Sequence, residues 1–345
     1  MRPVVLDAAV LTTISDFSDA VVVEEVRANG RRVFRKGHVL SPDDEQSLRK
    51  LDRSIHAVWL EDDELHENEA GTIVARAIAG PGTSMQPPVQ SRVNLKAARK
   101  GLLRVDQTAV FEINRIPDQG VFTMMDGLAV LPGKTLAGIK ITPVATRKRH
   151  IEAVQSIAAR SPVIEVKPFL PLKVGVVTTE GLNDKSRQRF RDAVLTKTDW
   201  YGSHVLGFNE CQEDPADVAA AMQTFLDHGA DLVMTGGGNA MDPLDAAMQA
   251  LPLIGATMTR FGAPAHPGSM FWLAHCGSIP IFNLASCSMY SRSTTADLIL
   301  PWIMAGDLVT SDDISRLGYG GLLDRDMGFR FPPYGESTSN VSAED

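Results

Sequence analysis

Cysteine is scarce in this chain: 345 residues contain three, at Cys211, Cys276 and Cys287. None forms a Cys-x-x-Cys pair, which argues against a metal knuckle or a disulfide framework and favours free thiols in a reducing compartment. Long apolar runs are missing too. No stretch approaches the roughly 18 residues that span a bilayer, and the start lacks the charged, apolar and small-residue order of a signal peptide. The expectation is a soluble, cytoplasmic protein with no membrane partner. Basic excess is also absent, with 34 Lys and Arg against 42 Asp and Glu and a net charge of -8. That balance excludes a dominant nucleic-acid surface but leaves room for one small anion-binding pocket.

What is present is 44% hydrophobic residues punctuated by 28 glycines and 20 prolines. The length suits two or three domains of roughly 100–200 residues each. In the first half, Asn29-Gly30 between Val26-Arg27-Ala28 and Arg31-Arg32-Val33-Phe34 predicts a hairpin. Ser41-Pro42-Asp43-Asp44 carries a capping serine, a proline in the first turn and early acids, which begin a helix. The acid-rich stretch from Glu61 to Glu69 reads as a loop and the negative first turn of a helix through Ile73, Val74 and Ala77. Pro81 to Pro88 reads as a linker. Beyond it, short β-branched runs at Val110-Ile113, Gly120-Thr123 and Ile139-Val144 predict strands. The expected division is an N-terminal α+β module over 1–80, a β-rich module over 89–150, an α/β domain with a C-terminal extension over 151–330, and a disordered tail over 331–345.

The second half alternates strand and helix. Leu172-Thr179, Ser203-Phe208 and Asp231-Met234 predict strands, and 183–197 and 214–228 predict helices carrying apolar stripes. That order implies an α/β domain with a parallel or mostly parallel three-layer sheet, which binds ligands beyond the carboxyl ends of its strands.

At that edge stands Thr235-Gly236-Gly237-Gly238-Asn239-Ala240-Met241-Asp242-Pro243-Leu244-Asp245. Consecutive glycines let backbone N–H groups approach a ligand, and the following helix adds its positive end, a combination suited to phosphate. The pattern is neither a Walker A loop nor a dinucleotide fingerprint. Asp242 and Asp245 admit two readings. Asp214-Pro215-Ala216-Asp217 shows the same Asp-Pro-x-Asp order as a plain helix start, in which the first acid caps and the second meets the dipole. Directly after a glycine loop, either carboxylate could instead hold Mg²⁺ against a phosphate. Further on, Ser286-Cys287-Ser288 follows a buried strand at Ile279-Asn283, as hydrogen-bond donors to a ligand or as a tight turn.

These residues carry a resemblance. Residues 172–306 resemble the molybdopterin-binding domain of molybdenum cofactor biosynthesis proteins, of the molybdopterin adenylyltransferase and molybdotransferase type, and of the competence-damage-inducible proteins. The carriers are Val174-Thr179, Thr235-Gly236-Gly237 with Asp242 and Asp245 downstream, and Leu284 to Tyr290. A subgroup of similar length also shares segments like Lys36-Gly37-His38-Val39-Leu40, His66-Glu67-Asn68-Glu69-Ala70, Gly101 to Asp106, Gly262-Ala263-Pro264 and Leu317-Gly318-Tyr319-Gly320-Gly321. Where the family writes Leu-Pro-Gly-Cys, this chain has Leu284-Ala285-Ser286-Cys287.

The resemblance implies that Thr235, Gly236, Gly237, Gly238 and Asn239, with Ser286, Cys287 and Ser288, bind molybdopterin or molybdenum cofactor, bare or adenylated. It implies that Asp245 or Asp242 is the catalytic acid and metal ligand, with Mg²⁺ and ATP or AMP as cofactors in nucleotidyl or molybdate transfer. Two other readings follow from it: a non-catalytic cofactor carrier, chaperone or sensor serving a client molybdoenzyme, and a nucleotide pyrophosphatase. A homodimer is the expected assembly.

Overall fold

The computed structural model describes residues 1–7, 17–89, 92–179, 183–237, 241–284 and 293–335. Two compact units divide the chain. The first holds Met1–Arg99, Leu103–Asp126 and Pro132–Val166; the second holds Lys100–Leu102, Gly127–Leu131 and the remainder from Lys167. Among the described residues no helix is long and apolar enough to cross a membrane.

In the first unit, strands Arg2–Leu6, Ile55–Trp59 and Val21–Val22 form an antiparallel sheet. The Asn29-Gly30 hairpin forms as expected, with Val26–Ala28 paired to Arg31–Phe34 and both turn residues at positive φ. Leu6, Val22, Phe34, Leu40 and Ile55 bury together beneath it. The helix expected through Ile73 runs Glu67–Ile78 and buries Ala70, Val74 and Ile78 on one stripe.

Two readings need correction here. The Val110-Ile113 run is helical, within Gln107–Asn114: Asp106 accepts from Ala109 N at 2.9 Å, and Ala109 and Ile113 bury at i, i+4. A capping acid and a helical burial period outweigh β-branched propensity. The Pro81–Pro88 stretch is also more than a linker, since Thr83–Met85 pairs with Arg92–Ala97 as the edge of a four-stranded antiparallel sheet.

The second unit is built on one mixed six-stranded sheet. Its strands are β1 (Lys173–Thr179), β2 (His204–Cys211), β3 (Leu232–Gly236), β4 (Thr257–Phe261), β5 (Trp272–Cys276) and β6 (Ile279–Asn283), in the spatial order β2-β1-β3-β6-β5-β4. The intervening helices are α1 (Asp184–Tyr201), α2 (Pro215–Asp227) and α3 (Ala246–Leu253), with α4 (Thr295–Met304) after β6. Strands β2, β1, β3 and β6 are parallel, as the alternation of elements predicts. Strand β5 runs antiparallel to both its neighbours, β6 and β4, so the sheet expected to be parallel or mostly parallel is mixed at that edge. The reason is length: Gly277 and Ser278 alone join β5 to β6, and a parallel return needs a crossover of about a dozen residues or more.

Alternation along the strands splits the core in two. Val174, Val176, Leu232, Met234, Leu273 and Phe282 join Phe190 and Val194 of α1 and Ile299 of α4. Val177, Val233, Ala274 and Ile281 join Val218 and Met222 of α2 and Ala250 of α3. The sheet is therefore buried on both faces, and its strands read as near-continuous apolar runs for that reason. Only strand ends remain to meet a ligand, and the carboxyl ends of β1, β3 and β6 lie side by side.

Candidate functional site

At that edge β1 ends in Thr178-Thr179 and β3 in Thr235-Gly236-Gly237, with Thr178 paired to Gly236. Thr235 is buried and its carbonyl accepts from Leu284 N at 2.8 Å, which ties β3 to the residue after β6. Asn283 is buried in turn. Its Oδ1 accepts from Trp272 N at 2.6 Å and its Nδ2 donates to the Met270 carbonyl at 2.9 Å, so it fastens the chain entering β5.

Both described glycines of the loop are there for closeness. A Cβ on Gly236 would stand 2.3 Å from Cζ of Phe190. Gly237 has φ +88°, and a Cβ there would stand 2.9 Å from Thr179 Oγ1 and 3.0 Å from the Thr179 carbonyl. Only glycine satisfies that dihedral and that approach together. Gly238 and Asn239, together with Ser286, Cys287 and Ser288, lie outside the described residues.

Sequence reasoning passed over Thr179. The residue is 4% exposed, and its Oγ1 is buried without a hydrogen-bond partner among the described residues. A buried hydroxyl left unpaired costs roughly 1–3 kcal/mol, which makes Thr179 a candidate donor to a ligand acceptor. The signal was legible: two threonines close an otherwise apolar parallel strand at its carboxyl end.

The aspartates divide differently from the expected helix grammar. Asp214 does cap α2, accepting from Ala216 N at 2.9 Å and Asp217 N at 3.1 Å, with Pro215 in the first turn. In the second copy the helix starts three residues later. Asp242 closes a turn by accepting from Leu244 N at 2.9 Å, and Asp245 is the cap of α3, accepting from Ala247 N at 2.9 Å. Asp245 is 7% exposed, while Asp242 is half-buried at the lip. Asp242 is thus the more exposed of the two acids. Among the described residues no three His, Cys, Asp or Glu side chains gather as a metal site.

The region is thus the strand-end edge of a mixed α/β sheet, with two glycines in close contact, one buried hydroxyl unpartnered among the described residues, and two acids further along the chain. No protein-family model and no curated protein matches the chain. It is similar to solved structures. One is the molybdopterin biosynthesis moea protein from Pyrococcus horikosii, 14% identical over 70% of this chain and 79% of that one, with a TM-score of 0.29. Another is a molybdenum cofactor biosynthesis protein from Corynebacterium diphtheriae, 15% identical over 40% of this chain and 99% of that one, with a TM-score of 0.29. A third is the tungsten cofactor synthesizing protein MoaB from Pyrococcus furiosus, 17% identical over 35% of this chain and 86% of that one, with a TM-score of 0.28.

Proposed function

We propose that the second unit binds molybdopterin, bare or adenylated, at the carboxyl ends of β1, β3 and β6, in molybdenum cofactor biosynthesis. The observation that carries the reading is the pairing of Gly237 with the unsatisfied Thr179 hydroxyl. Thr179 Oγ1 donates to a phosphate oxygen of the ligand, and the glycine backbone admits that phosphate close to its N–H groups. Asp242, with Asp245, would hold Mg²⁺. Bound there, the ion would offset the phosphate charge during nucleotidyl or molybdate transfer. The protein's own share is positioning and electrostatic stabilisation by groups already fixed before the ligand arrives.

A second reading is supported by Asp245 itself. Its carboxylate already caps α3, so the residue serves the fold first, which suits a carrier or sensor that binds without turnover. Incubating the purified chain with molybdopterin, Mg-ATP and molybdate separates the two. Adenylation or metal insertion abolished by Asp242→Ala supports the enzyme, and saturable binding without turnover supports the carrier. If no pterin is bound, both readings fail, and hydrolysis of ADP-ribose would then favour a pyrophosphatase.

A further inference from the structure

The first unit contains a second polar cavity, of about 470 Å³, where the segment after the Asn29-Gly30 hairpin meets the start of the helix Glu67–Ile78. Arg32, Arg35, Lys36, His38, Glu67 and Asn68 line it. We propose that this cavity binds a small phosphate monoester that also carries an N–H or O–H donor. The proposal is independent of the reading given for the second unit.

Charge comes first. Three cationic side chains face one carboxylate, while His38 is engaged by Asp44 at 2.9 Å. Arg32 lies 3.6 Å from Glu25 at the surface, and Arg35 forms no ion pair among the described residues. With Arg32 near Glu25 and Lys36 near Glu67, Arg35 is the lining cation left for an incoming anion, and guanidinium groups bind phosphate oxygens in a bidentate way.

The far wall is built to accept hydrogen bonds. Glu67 is 2% exposed and lies 3.0 Å from Lys36 Nζ, which also donates to the Thr142 carbonyl at 3.2 Å. Gly37 has φ +79°, and a Cβ there would stand 2.3 Å from Glu67 Oε1, so a glycine is needed for the backbone to lie against the carboxylate. His66 bridges the two segments. Its Nε2 is 2.9 Å from the Gly37 carbonyl and its Nδ1 accepts from Asn68 N at 3.2 Å. A carbonyl can only accept and an amide N–H can only donate, so the ring is the neutral tautomer protonated on Nε2. Asn68 Oδ1 is buried and has no hydrogen-bond partner among the described residues. A buried acceptor of this kind calls for a donor, and the ligand supplies it. The cavity volume suits a small molecule.

The acid-rich stretch therefore holds more than a solvated helix start, because Glu67 is core and Asn68 borders the cavity. Lys36-Gly37-His38 and His66-Glu67-Asn68, distant in sequence, form one constellation.

The test is calorimetric titration of the full chain with inorganic phosphate and with O-phosphoethanolamine, which adds an amine donor. Phosphoethanolamine is expected to bind about tenfold more tightly, the effect of one good hydrogen bond. Arg35→Gln, at an exposed position, weakens both probes about tenfold. Asn68→Leu lowers only phosphoethanolamine, to the level of phosphate. Phosphate bound at the second unit is told apart from the cavity by Thr179→Val, which weakens only that component of the titration. The proposal is overturned if neither probe saturates by about 10 mM, a dissociation free energy near 3 kcal/mol. Binding that survives Arg35→Gln and disappears in Thr179→Val would also overturn it.

Discussion

Lys197 donates to Asp297 with both side chains sealed from water, at 2% and 0% exposure. The aspartate Oδ1 also accepts from Tyr334 Oη at 2.9 Å, and its Oδ2 accepts from Thr294 N at 3.0 Å and Thr294 Oγ1 at 2.8 Å. Each carboxylate oxygen is thus satisfied twice, which is the condition under which a buried ion pair is tolerated.

Breaking that pair from one side leaves a buried charge uncompensated. Lys197→Met is expected to lower unfolding stability by about 3–5 kcal/mol, whereas Lys197→Met combined with Asp297→Leu costs less than the two single changes added together. Urea unfolding of the three variants checks this. Equal additivity would show that the two side chains are energetically independent.

Gly237→Ala places a methyl group against Thr179 at a dihedral that L residues avoid. The expected outcome is loss of ligand binding at the second unit, with about 1–3 kcal/mol of strain in stability. Thr179→Val is the cleaner partner. It removes an unsatisfied hydroxyl, so the unliganded protein keeps or gains stability while ligand affinity falls about tenfold. Thermal melts with and without ligand separate the two effects.

Gly175 sits under α2, where a Cβ would stand 2.5 Å from the Phe225 ring. Gly175→Ala should therefore overpack the core and cost about 1–3 kcal/mol. Phe225→Leu in the same chain is expected to return part of it, read from the denaturant midpoint.

Lys100 donates to the Trp200 carbonyl and lies 3.7 Å from the centroid of its indole. Burial lowers its pKa from the usual lysine value to about 8. Between about pH 8 and the unfolded value near 10.5, the unfolded chain holds the proton that the folded one has released. Stability from this group therefore rises with pH across that window, is complete above it, and is lost as pH falls through about 8. Comparing the pH dependence of urea midpoints for the natural chain and Lys100→Met checks the sign. Parallel curves would refute it.

Much of the second unit was legible because its strands are buried on both faces, so apolar runs such as Leu172–Thr179 stand out between amphipathic helices. The reversed direction of β5 was not legible from burial pattern. It was set by the two-residue connection between Cys276 and Ile279. At the site, glycines signalled close approach, but the partners that explain them, Phe190 for Gly236 and Thr179 for Gly237, lie far back in sequence. Asp242 and Asp245 read alike from their neighbours, and the structure adds that Asp245 caps α3, because helix grammar tolerates a shift of three residues. Lys197 was visible in principle: it falls on the stripe of Phe190, Val194 and Tyr201, a charge at a core position that forecasts a buried counter-ion. Thr294-Thr295-Ala296-Asp297 has the spacing of a capping box, and the structure confirms it.

Tyr334 packs against Trp200 and Tyr201 as well as bonding to Asp297, and the same core cluster takes in Leu131 and Phe331. A nascent chain therefore cannot complete this core when its sheet emerges from the ribosome. It must wait until residue 334 has been translated, with Lys197 and Asp297 exposed to solvent or guarded by a chaperone in the meantime.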